Sequence, residues 1–347
     1  MRNPALNERR NQQILADVVR TYIETGEPVS SRSISRRHAE PLSPATIRNV
    51  MADLEEEGYL YQPHTSAGRV PTATAYRCYA QQVATQATLN PADGDWIRQE
   101  LASAATPEEI MERASHVLAA ISRGLGIVIS PPLGKTVLEH LRFLLLPDGR
   151  VLVVLISNAS LTRDKVIRPD RAFTQADLDR TADYLNRHYT GWTLDSIRAD
   201  LLAHLARDRE RYDRLLSDAL LLCDPSVLGE DAGPQVYVEG AAQIATAPEF
   251  TDQAQLRELL AAIEEKKRLV ALLTACIEAP EPVHVQIGIK EISSAGEHLA
   301  LISAPYSCRD QLQGSLGILG PTRMHYDRAI TVVAYVAKLF SKTLSRS

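Results

Sequence analysis

Cysteine is scarce and scattered in this chain of 347 residues. Cys78, Cys223, Cys276 and Cys308 stand far apart, and none has a C-x-x-C or Cys/His ligand spacing, which points to a reducing compartment and away from structural zinc. A long apolar run is also missing. The richest stretch, from Phe143 to Ile156, is cut by Pro147-Asp148-Gly149, and no apolar segment follows a basic start at the N-terminus. Neither a signal peptide nor a membrane span is therefore expected, and the expected location is cytoplasmic. Nor does one sign of charge prevail: a formal net charge of -5 argues against a protein that coats nucleic acid indiscriminately, yet leaves room for a local DNA-binding face on an acidic body. There is no internal repeat and no low-complexity tract beyond alanine-rich segments.

Clusters that carry catalysis are absent too. No pair of histidines has metal-ligand spacing, and no nucleophile has an assigned base. Asp93 and Asp95 read as linker and helix-cap residues. Gly134-Lys135-Thr136 has the ending of a phosphate-binding loop, but the earlier glycine would fall at position 129, which is Ile129. Gly314, Gly317 and Gly320, with Thr322 and Arg323 opening a helix, could hold an anion. The simpler account is a tight strand-to-helix passage in which Pro321 starts the turn. No cofactor, no metal and no enzymatic activity are expected.

With 45% hydrophobic residues, the chain can bury cores for two or three domains. From Asn7 to Glu24, Ile14, Leu15, Val18, Val19, Tyr22 and Ile23 recur at helical spacing, and Gly26 with Pro28 ends the run. A short helix follows from Ser30 or Ser31 to about Ala39, with Ile34 inward and Arg32, Arg36 and Arg37 outward. Ser43 can cap a third helix, Pro44 suits its first position, and Ile47, Val50, Met51 and Leu54 form its apolar stripe. Gly58 stops it. Tyr59-Leu60-Tyr61, the turn-rich stretch from His64 to Gly68, and Arg69-Val70-Pro71 suit a β-hairpin, and another helix begins near Thr72.

Helix, short basic helix, turn, capped helix and hairpin, in that order, is the layout of a winged helix-turn-helix that binds double-stranded DNA. The stripe on the third helix leaves Ala45, Asn49 and Ala52 outward, flanked by Thr46 and Arg48. Small residues let that helix approach bases closely; Asn49 can pair with adenine, and Arg48 with guanine or phosphate. The helix N-terminus at Ser43 suits phosphate, with Glu55-Glu56-Glu57 at the far end. Arg32, Arg36 and Arg37 could grip the DNA backbone, as could His64, Ser66 and Arg69 from the wing. The same pattern also fits a module for protein or RNA contact.

The segments LSPATIRNVMADLEEEGYLYQPHTSAGRVPT, LNERRNQQIL and YIETGEPVSSRSIS, together with GSLGILGPTRMHYDRAI from Gly314 to Ile330, resemble the heat-inducible transcription repressor HrcA family of bacteria. One departure is Ala159, where that family's pattern has glycine. The resemblance implies an α+β multidomain protein: an N-terminal winged helix-turn-helix at 1–83, a linker at 84–105, a GAF-like α+β regulatory domain at 106–172 and 235–347, and an inserted helical dimerisation domain at 173–234. It also implies a homodimer on an inverted-repeat operator upstream of chaperonin operons, modulated by the chaperonin. The residues themselves show two β-rich runs at Leu138–Leu146 and Arg150–Ser157, a helical stretch from about Thr174 to Cys223, and returning strands that end in a helix from about Tyr326. A bifunctional enzyme resembling biotin ligase repressors would need a glycine- and arginine-rich adenylate loop, and none is evident.

Overall fold

A computed structural model describes residues 4–38, 41–85, 87–157, 162–169, 171–207, 213–223, 234–246, 250, 252–277, 281–290, 292, 294–307 and 313–344. Cys308 and the departure at Ala159 lie outside them. Helix α1 (Pro4–Thr25) buries Ile14, Leu15, Val18 and Val19 on one face. Gly26, at φ +72°, ends it in a conformation that a side chain would strain. Helix α2 (Ser31–Arg37) is capped by Ser30, whose hydroxyl accepts from the Ser33 amide. Helix α3 (Pro44–Glu56) is capped by Ser43 with Pro44 in its first turn, and it buries Ile47, Val50, Met51 and Leu54.

Strands β1 (Leu60–Tyr61) and β2 (Val70–Pro71) then pair antiparallel. A third backbone joins them, because Val29 and Arg69 exchange two N–H···O bonds of 2.8 Å. Gly68 permits that approach: a Cβ there would lie 2.4 Å from the Val29 carbonyl oxygen. Helix α4 (Ala73–Ala84), capped by Thr72, leads out of the unit.

Residues 84–105, expected as linker, contain helix α5 (Pro91–Ala102). Asn90-Pro91 and Asp93-Gly94, which suggest a boundary, instead form the cap and first turn of that helix, and Ile97 and Leu101 are buried. Helix α6 (Pro107–Ser122) follows and leads into strand β3 (Leu125–Ile129), buried along its whole length.

The main sheet is antiparallel and five-stranded, in the order β7 (Val236–Glu239), β3, β10 (Gln313–Pro321), β9 (Leu299–Ser307), β8 (His284–Ile287). Helices α6 and α13 (Tyr326–Leu344) share one core with one face. Helices α10 (Ala241–Ala245), α11 (Gln253–Glu264) and α12 (Lys266–Thr274) pack on the other. The stretch that reads as one helix near Gln253–Ala275 is broken at Glu265, whose ψ of 81° is not helical. Gly314, Gly317 and Gly320 all lie within β10, and Pro321 ends the strand. A Cβ on Gly317 would come 2.7 Å from the Ile302 carbonyl oxygen, so close strand packing accounts for that glycine.

The inserted unit is larger than its expected bounds of 173–234. Strands β4 (Leu138–Leu145), β5 (Val151–Ser157) and β6 (Thr162–Ile167) pair in a separate three-stranded sheet, although the sequence reading gave them to the regulatory domain. They share a core with α7 (Gln175–Tyr189), α8 (Leu194–Arg207) and α9 (Asp213–Cys223), formed by Leu141, Phe143, Val153, Leu178, Leu185 and Ile197 among others. The insertion therefore interrupts the main sheet between β3 and β7. Gly134 lies beside the start of α8, where a Cβ would meet the Asp195 carboxylate at 2.4 Å.

The chain is thus a mixed helix-and-sheet protein of several units. The N-terminal helices are not tethered loosely to the rest, because one buried cluster runs from Ile14, Ile47 and Tyr76 through Leu118 to Ile302, Val333 and Phe340.

Candidate nucleic-acid interface

The face built by α2, α3 and the hairpin gathers the residues singled out by sequence. Burial of Ile47, Val50, Met51 and Leu54 fixes the rotation of α3 and leaves Ala45, Arg48 and Asn49 exposed, with Thr46 and Ala52 half-exposed. Arg32 and Arg36 are likewise exposed on α2, which Ile34 anchors. Arg32, Arg36 and Arg48 enter no ion pair among the described residues, so their charge is available to a polyanion.

Several neighbouring charges are already used. Arg37, expected to grip the DNA backbone, instead pairs with Glu24 at 2.5 Å, and the buried His38 ring binds the Asp17 carboxylate through Nδ1 at 2.6 Å, tying the end of α2 to α1. Ser43 spends its hydroxyl on the cap: it accepts from the Thr46 amide at 3.1 Å and lies 2.9 Å from the Thr46 hydroxyl. These two residues therefore orient the first turn of α3, and what that turn offers outward is chiefly its amide ends.

Arg69 departs most from its expected role. Its guanidinium turns inward and pairs with Glu55 at 2.7 Å, with only 19% of the side chain exposed. The carboxylates at the far end of α3 thus do more than stand clear of phosphate, since one of them holds the hairpin. His64 and Ser66 remain exposed at the hairpin tip. Gln62 organises that tip by donating to the carbonyls of Thr65 and Ala67, both at 2.9 Å.

One exposed residue on this face was missed. Tyr61 is 49% exposed on β1, next to buried Leu60. The alternation of a strand would have revealed it: with Leu60 inward, Tyr61 must point outward.

Among the described residues no group of three metal-ligating side chains comes together, and no helix is long and apolar enough to cross a membrane.

Comparison with known proteins bears on the whole chain. A family model described as the HrcA protein C terminal domain matches residues 108–330. A Geobacter sulfurreducens protein named heat-inducible transcription repressor HrcA is 39% identical over 336 residues, covering 96% of this chain and 97% of that protein. A protein of the same name from Syntrophobacter fumaroxidans is 35% identical over 337 residues, covering 97% of each. Among solved structures, a hypothetical protein determined at 2.2 Å matches 97% of this chain and 98% of its own with a TM-score of 0.64 at 23% identity, a likeness of fold.

Proposed function

The chain belongs to the heat-inducible transcription repressor HrcA family, and from that premise we propose that its N-terminal unit is a winged helix-turn-helix which reads an inverted-repeat operator in double-stranded DNA. The observation that carries this reading is the pairing pattern of the arginines. Arg37 and Arg69 are neutralised by Glu24 and Glu55, while Arg32, Arg36 and Arg48 stand exposed, with no ion pair among the described residues, on the two helices that a major-groove reader would use. In this reading α3 enters the groove, Ala45 allows close approach, and Asn49 and Arg48 meet base edges. Ser43 and Thr46 present the helix N-terminus to phosphate, while His64, Ser66 and Tyr61 border the duplex.

The five-stranded sheet between two helical layers is read as a GAF-like regulatory domain, and the insertion as the dimerisation domain. A homodimer gains operator affinity because its second half-site is bound at high effective concentration. One face of the inserted sheet supports that role. Leu144, Leu152 and Val166 stand in one cross-strand row, with Leu144 50% and Val166 40% exposed. The next row is Arg142, Val154 and Asp164, so a second copy turned about a two-fold axis could set Arg142 against Asp164. The chaperonin, as partner, favours the folded and DNA-competent dimer.

The test is binding of the full chain to duplexes that carry the inverted repeat upstream of a chaperonin operon. Expected are sequence-selective binding that weakens steeply with salt, and greater recovery of active repressor when chaperonin is present. Equal affinity for scrambled duplex or single-stranded RNA would assign the face to another partner, and equal recovery with and without chaperonin would remove that part of the reading.

A further inference from the structure

The turn between β10 and α13 projects into the N-terminal unit. It is firmly built: the Thr322 amide bonds the His298 carbonyl at 2.8 Å, and the hydroxyl of the fully buried Tyr326 donates to the Thr322 carbonyl at 2.9 Å. The Tyr326 ring lies against two rings of α4, with centroids 6.0 Å from Tyr76 and 6.2 Å from Tyr79. These aromatic contacts and the shared core supply cohesion between the units.

Arg323 adds direction. Its guanidinium lies over the Tyr22 ring, 5.6 Å from the centroid, and Nη2 donates to the Ile23 carbonyl at 3.5 Å. It fills the space beside Gly26, where a Cβ would come within 2.5 Å of Nη2. A cation is favoured there, because the last carbonyls of α1 carry partial negative charge and an aromatic face attracts a guanidinium. Gly26 is also the elbow at which the chain leaves α1 for α2. A residue rooted at the exit of the central strand therefore grips the reading unit at its own bend.

We infer that Arg323 is a positioning residue for operator recognition: it fixes the attitude of the DNA-reading unit on the central sheet, and so the separation of the two units in a dimer. The inference rests on the DNA-binding reading above. Arg323, Tyr22 and Gly26 do not belong to the proposed DNA face, so disturbing them should spare the reading of one half-site and damage the simultaneous reading of two.

The test uses the full-length chain and three duplexes: one half-site of a sequence recovered by selection from random DNA, the inverted repeat of that half-site, and the repeat with base pairs inserted between its halves. In Arg323→Gln, half-site affinity is expected to stay within about twofold, while affinity for the repeat falls about tenfold or more and its dependence on spacing flattens, since bivalence contributes about 10²–10⁴-fold when geometry allows it. Tyr22→Leu keeps apolar bulk but removes the ring under the guanidinium, and it should give the same pattern. Equal losses on half-site and repeat would show that Arg323 only supports the fold of the unit. An unchanged repeat affinity and spacing profile would likewise overturn the proposal. Hydrogen exchange separates this outcome from failure of the DNA reading: backbone amides from Ile23 to Ser31 should exchange faster in Arg323→Gln while those of β9 and β10 do not, and unchanged exchange overturns the dock even if no duplex is bound.

Discussion

Arg69, at the entry to β2, and Glu55, on the last turn of α3, form an ion pair of 2.7 Å that sets the hairpin against the helix it would accompany into DNA. Both side chains are partly withdrawn from water, so the pair is screened less than a surface bridge. Arg69→Met should lower stability by about 1–2 kcal/mol, with a similar loss in Glu55→Gln and less than the sum in the double variant. DNA affinity should fall in Arg69→Met with no change in its salt slope, because no phosphate contact is lost. A slope reduced by about one ion would mean instead that Arg69 grips the backbone directly.

Arg48 and Asn49 invite the opposite expectation. Both are exposed on α3, so alanine at either should shift the melting temperature little. Operator affinity should fall by about 1–3 kcal/mol, and the loss should concentrate at particular base pairs when each position is varied in turn. A uniform loss at every position would assign the side chain to phosphate.

The paired oxygens of Asp93 accept two bonds from Arg328, both 2.8 Å, and join α5 to α13. Those bonds hold the Asp93 carboxyl below its ordinary value of 3.8. A carboxyl with a lowered folded pKa favours the folded state above the ordinary value, and that contribution disappears as pH falls from 3.8 through the lower folded value. Asp93→Asn should therefore melt lower at neutral pH and show a flatter dependence of stability on pH in the acid window. Curves parallel to wild type would deny the pair this role.

Gly317→Ala tests the packing of β9 on β10. The new Cβ would meet backbone, the Ile302 carbonyl oxygen at 2.7 Å, which cannot swing aside as a side chain would. A destabilisation of about 1–3 kcal/mol is expected by chemical denaturation. A neutral result would mean that the two strands separate easily at this point.

What the sequence made legible was local. Ser43-Pro44 at the start of α3, the stripe from Ile47 to Leu54, and the stop at Gly58 are each decided within one or two turns of chain, and the exposure of Asn49 and Arg48 follows from that stripe. The exposure of Tyr61 follows in the same way from the burial of Leu60. Arg69 was different, because an exposed arginine and an inward one have the same local pattern, and the partner that decides between them lies on another element. The pairing of Val29 with Arg69 was hidden for a related reason: one residue between Pro28 and Ser30 shows no strand periodicity. The insertion boundary failed on long-range pairing. The apolar runs of β4 and β5 would look alike in either sheet, and only their neighbours assign them to the smaller one. Only the start of helix α5 was obscured, since Asn90-Pro91 marks a loop and a helix start equally well, whereas the stretch from Asp95 to Ala104 reads as helical.

The buried cluster that runs from Ile14 to Phe340 without a break has a thermal meaning. Elements that share one core melt as one cooperative unit, whereas the insertion, closed around Phe143 and Leu185, can melt by itself. The N-terminal helices then have no melting temperature of their own, and their loss on heating is the loss of the face of the central sheet on which they rest.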